Sequence, residues 1–94
     1  MQIMPNKTIL EGKVRRIDRS ADGWGADVEL EVESSRPAAG CTDALQARPG
    51  TVMTVFTARP EAVESGKSYA ITASVLGGPR GERVVVEDAR AKEG

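Results

Sequence analysis

The sequence predicts a small all-β domain, a barrel or a sandwich, and three observations carry that expectation. Apolar and polar residues alternate with a period of two over most of the chain. Turn residues break the alternation about every ten positions, as expected when several short strands follow one another. The 94 residues, 39% hydrophobic and 29% charged, are enough for one modest core and too apolar for a disordered chain.

The first strand is expected over Lys7–Asp18. Leu10, Gly12 and Val14 share one parity and Ile17 falls on the other, so a bulge or bend is expected near the glycine. "RSADG" supplies a turn, in which Asp22-Gly23 suits left-handed dihedrals. The second strand, "WGADVELEVES", alternates most strictly. Trp24, Ala26, Val28, Leu30 and Val32 face the core, while Asp27, Glu29, Glu31 and Glu33 face water.

A long connection follows over 34–50, with a possible helical turn in "TDALQA" capped by Thr42. Connections of this length in a compact domain are often functional. "TVMTVFTA", Thr51–Ala58, is a third strand whose inward parity is ambiguous: Val52 and Phe56 compete with Met53 and Val55. "RPEAVESGK" predicts a short helix, with Pro60 at its first position and Gly66 past its end. "KSYAITASVLGG", Lys67–Gly78, is the fourth strand, with Tyr69, Ile71, Ala73 and Val75 inward. "GGPRGE" is a turn and "RVVVEDARA", Arg83–Ala91, the fifth strand. Residues 1–6 and 92–94 are expected to fray.

The segments "ILEGKVRRIDRS", "GADVELEVES", "TVMTVFTA", "PEAVESG", "KSYAITASVLGG" and "ERVVVEDA" resemble in order and pattern the OB-fold, the oligonucleotide/oligosaccharide-binding barrel. The resemblance covers most of the chain but carries no diagnostic motif, and the 34–50 connection departs from it. It implies a five-stranded Greek-key barrel with a short helix between strands three and four. It also implies a ligand platform across the second and third strands, between the first–second and fourth–fifth loops.

On that layout, Asp27, Glu29, Glu31 and Glu33 would line the platform and repel a polyanion. A solvated strand face is the plainer reading, with Lys13 and Arg15 pairing across strands for at most about 1 kcal/mol each. The same carboxylates could instead meet a protein partner. The counterweight is a basic rim: Arg15, Arg16 and Arg19 before the first turn, Trp24 after it, and Arg80 and Arg83 about the last. Arginine beside an indole suits single-stranded nucleic acid. Trp24, however, has inward parity, and plugging the barrel end is its expected role. Only Phe56 and Tyr69 could join it as stacking aromatics.

With no histidine and one cysteine, Cys41, the chain lacks the usual general base, the usual metal ligand and any internal disulfide. "LGGPRGER" lacks the context and the lysine of a phosphate loop. No catalytic residue, metal or cofactor is therefore expected. The net charge of −1 provides no global field toward nucleic acid or lipid. No secretory signal or membrane-spanning run is visible, so a cytoplasmic location is expected. The expected function is a non-enzymatic binding module for single-stranded nucleic acid through the basic rim. The alternative is a protein–protein interaction module presenting the acidic face or an edge strand.

Overall fold

The computed structural model describes residues 6–43, 45–78 and 81–92. Five strands form one sheet: β1 (Thr8–Arg19), β2 (Ala26–Pro37), β3 (Val52–Thr57), β4 (Ser68–Gly78) and β5 (Gly81–Ala91). The sheet closes on itself in the order β1-β2-β3-β5-β4, with β4 returning to pair with β1. All neighbours are antiparallel except β3 and β5, which meet in parallel at one pair, Phe56 with Val85. No described helix is long and apolar enough to cross a membrane.

From Ala26 on, the alternation of β2 delivers the expected inward residues, with Ala26, Val28, Leu30 and Val32 all buried, whereas Trp24 is exposed. Val28, Leu30 and Val32 meet Leu10 and Val14 of β1, Val55 of β3, and Tyr69, Ile71 and Ala73 of β4 in one core. The ambiguous phase of β3 resolves in favour of Met53 and Val55. Val55 and Thr57 are buried, Phe56 is half-buried, and Val52 is exposed.

Two irregularities bend the β1–β2 pair. At Gly12 the backbones approach so closely that a Cβ would run into the Glu31 carbonyl. The parity change seen in the sequence occurs further on, where the register skips Arg15 and lets Ile17 pack against the core. A bulge leaves one extra residue, here Arg15, unpaired and shifts the parity beyond it, so both Val14 and Ile17 reach the same interior.

The helix expected after β3 is only a 3-10 turn, Pro60–Ala62. Val63 behind it is already extended (φ −130°, ψ 152°), which ends the turn and drives its own side chain into the core. Tyr69 is buried beside it, and its hydroxyl accepts the Glu64 N–H at 2.7 Å, which satisfies the polar end of the ring.

The described residues of the 34–50 connection contain no helical turn, and Thr42 caps nothing. Thr42 instead bridges Asn6. The residue that organises the loop is Asp43. Its Oδ1 accepts from Thr8 Oγ1 (2.8 Å), Leu45 N (3.0 Å) and Gln46 N (2.8 Å), and its Oδ2 accepts from Ser35 Oγ (2.8 Å). One carboxylate thus ties the loop to β1 and β2. The chain ends expected to fray lie outside the described residues apart from Asn6 and Lys92, and both of these are anchored. The Asn6 amide exchanges two hydrogen bonds with the Val75 backbone, and Lys92 N donates to Ser68 O.

Candidate nucleic-acid interface at the β1–β2 loop

The loop 20–25 is stiffened by short-range hydrogen bonds. Ser20 N donates to Gly25 O at 3.0 Å, and Gly23 N to Ser20 O at 3.1 Å. Asp22 accepts from Ser20 Oγ and from Trp24 N. The Trp24 N–H, and after it the Ser20 hydroxyl, hold the Asp22 carboxyl below its ordinary range despite slight desolvation.

Trp24 is not a barrel plug. It is 79% exposed, and β2 begins only at Ala26. The strand parity fails to extend back to it because Gly25 intervenes with φ +116°, a conformation that L side chains rarely adopt. Gly25 also lies against the Phe56 ring, where an added Cβ would come within 2.8 Å of Cζ. Glycine is therefore required here for both dihedral and space, and the consequence is an indole held outward.

Phe56 links this loop to β5. It stands opposite Asp27 in the β2–β3 register, and the Arg83 guanidinium carbon lies 4.0 Å from its ring centroid. Arg83 also reaches Asp27 at 3.8 Å. Leu76, 56% exposed, pairs with Arg83 across β4–β5. Phe56, Leu76 and Arg83 thus lie together at the end of the barrel that Gly25 of the Trp24 loop touches. Leu76 was legible as an outward residue from its parity against Ile71 and Ala73, but nothing in the sequence set it beside the rim.

The described residues of the expected rim do not all converge. Arg19 pairs in register with Ala26 at the loop. Arg16 turns onto Asp18 at 3.1 Å. Arg15 lies four residues before Arg19, about 13 Å along the strand, and is engaged with Glu31 at 2.6 Å. Arg80 lies outside the described residues. Tyr69 is buried and is not available for stacking.

The outward carboxylates of β2 are largely compensated. Asp27 pairs with Arg83, Glu31 with Arg15, and Glu33 with Lys92 at 3.5 Å. Glu29 makes no ion pair among the described residues, although Arg16 stands opposite it in register. Lys13, expected to pair here, faces Glu31 in register without an ion pair among the described residues. Further along the face, Ser34 donates to Glu11, and Lys92 and Arg36 lie near it. These interactions, in that order of weight, lower the Glu11 pKa against slight desolvation. Cys41 is half-buried, with its thiol 3.6 Å from Ala39 O.

Compared with protein-family models, with curated proteins and with solved structures, the chain matches none.

Proposed function

We propose that the chain is a non-catalytic, OB-like binding module that takes single-stranded nucleic acid at the β1–β2 loop end. The observation that carries this reading is the exposure of Trp24, one residue before a glycine that lies against a phenylalanine bearing an arginine. The strand order around the ring supports it, because an OB barrel uses the first–second and fourth–fifth loops to flank its ligand.

In this reading one base stacks on the Trp24 indole and a neighbour on the Arg83–Phe56 pair, at about 1–3 kcal/mol per base. Arg19 and Arg83 then serve two phosphates. Two contacts give a salt slope of only about −1.4 for a single strand, so binding is weak and stacking-dominated. The carboxylates keep the strand off the middle of the β2 face. The single thiol and the absence of histidine fit a cytoplasmic binding role rather than catalysis.

The test is a titration with a short oligothymidylate, following the fluorescence of the sole tryptophan at low and moderate salt. Quenching that fades with salt is expected. An unchanged emission at low salt with high-micromolar protein would sink the proposal. The alternative reading, a protein partner on the β2 face, draws on exposed Val52 standing opposite Glu31 in register. Charge reversal at Glu29 and Glu31 would weaken such a partner and leave oligonucleotide binding intact.

A further inference from the structure

The ring has one weak seam. Among the described residues, β3 and β5 share only the Phe56–Val85 pair, after which the chain leaves β3 for the 3-10 turn. β5 runs on from Val86 to Ala91 with β4 as its sole strand neighbour among the described residues. A groove of about 510 Å3 separates Thr57, Arg59 and Ala62 from Val86–Ala89.

The direction of the free backbone groups follows from one hydrogen bond. Lys92 N donates to Ser68 O at 2.9 Å, so Lys92 turns its peptide groups toward β4. The β4–β5 ladder is regular from Asp88 to Ala91. N–H and C=O of one residue project to the same side of a strand and alternate along it. Ala91 and Ala89 therefore turn theirs away from β4, toward the open edge. Such an edge is a template for another strand.

We propose that this edge joins the same edge of a second copy of the chain, antiparallel, about a twofold axis at Ala89. The choice of a second copy rests on charge. Asp88 and Arg90 flank Ala89 on one exposed face and already approach each other at 3.2 Å. A twofold axis at Ala89 sets each Asp88 opposite the other copy's Arg90, and Glu87 opposite Ala91. An axis at Asp88 or at Glu87 would set like carboxylates against each other, so charge selects the register. In the selected register the two Ala89 residues exchange both backbone hydrogen bonds, which matches the direction of their free groups. Small side chains at Ala89 and Ala91 leave the approach open, and the interface is isologous, as a closed dimer requires.

Sedimentation equilibrium of the full chain, from micromolar to about 1 mM, tests this. The wild type is expected to dimerise reversibly within that range. Asp88→Arg and Arg90→Asp are each expected to weaken the dimer about tenfold or more, by setting like charges opposite one another. The double variant is expected to restore it. Ala89→Pro removes the outward N–H without touching the β4 ladder, and should be monomeric with an unchanged far-ultraviolet spectrum. A wild type that stays monomeric throughout overturns the proposal, as does a double variant no tighter than the singles. Should Ala89→Pro fail to fold, the charge-exchange set decides alone, because both side chains are exposed.

Discussion

Asp43 is the sharpest point at which to perturb this fold. Its carboxylate receives four hydrogen bonds, three of them on Oδ1. Replacement by alanine removes all four and leaves the Thr8 hydroxyl, on a residue 1% exposed, without its acceptor. An orphaned buried donor costs about 1–3 kcal/mol, and loss of the acceptor for the Leu45 and Gln46 N–H groups adds about 1 kcal/mol. Asp43→Ala is therefore expected to lose about 2–4 kcal/mol, a large part of the stability of a domain this size. Asp43→Asn keeps an oxygen for the three Oδ1 bonds and turns an N–H2 toward Ser35, whose hydroxyl can accept. Its expected loss is about 1 kcal/mol or less. Urea unfolding of the three proteins at neutral pH measures the difference. Equal losses in the two variants, or a loss below about 0.5 kcal/mol for alanine, would refute the loop-clip argument.

The same residue sets an acid limb. Burial pushes the Asp43 carboxyl up, but the Gln46 N–H, the Ser35 and Thr8 hydroxyls and the Leu45 N–H together bring it below its ordinary value. A folded-state pKa below the unfolded one means that the stabilisation is complete above the unfolded pKa. It is lost as pH falls through the folded pKa. Asp43→Asn should therefore flatten the loss of stability in acid, read as the urea midpoint against pH.

Other expectations concern single contacts. Gly12→Ala would force a Cβ into the Glu31 carbonyl and should destabilise by about 1–3 kcal/mol, read from the thermal midpoint. Trp24→Ala should leave stability within about 0.5 kcal/mol of wild type, since the side chain is 79% exposed, while weakening oligothymidylate binding about fivefold or more. Arg83→Ala should lower stability by no more than about 1 kcal/mol, because its pairing with Asp27 and Phe56 is solvent-exposed. It should also reduce the salt slope of binding by about 0.7.

The parts of the fold governed by local alternation were legible in the sequence. The apolar phase of β2 from Ala26 on is buried as its alternation selects, and that of β4 is buried at Tyr69, Ile71 and Ala73 but only half-buried at Val75. β3 was ambiguous because both of its phases are apolar, so only packing against β2 could decide. Trp24 was misjudged because parity assumes an unbroken strand, and the positive φ of Gly25 breaks it. The helix contracted to a single turn because Val63 is needed in the core, an event that local capping signals do not encode. Asp43 was missed because two of its four donors, Thr8 and Ser35, are remote in sequence. The rim arginines were legible only in part: Arg15 meets Glu31, a cross-strand pairing its outward parity suggested, whereas nothing in the sequence pointed Arg16 to Asp18 or Arg83 to Phe56.

The central claim is about place: a ligand held at the Trp24 end and kept off the carboxylate face. Backbone amide shifts of nitrogen-labelled protein, followed during addition of a short oligothymidylate at low salt, locate it directly. The account predicts shifts concentrated at Asp22–Asp27, around Phe56 and at Arg83–Val85, with the amides of Glu29–Glu33 unmoved. Shifts centred on Glu29–Glu33, or none at any residue, would contradict it.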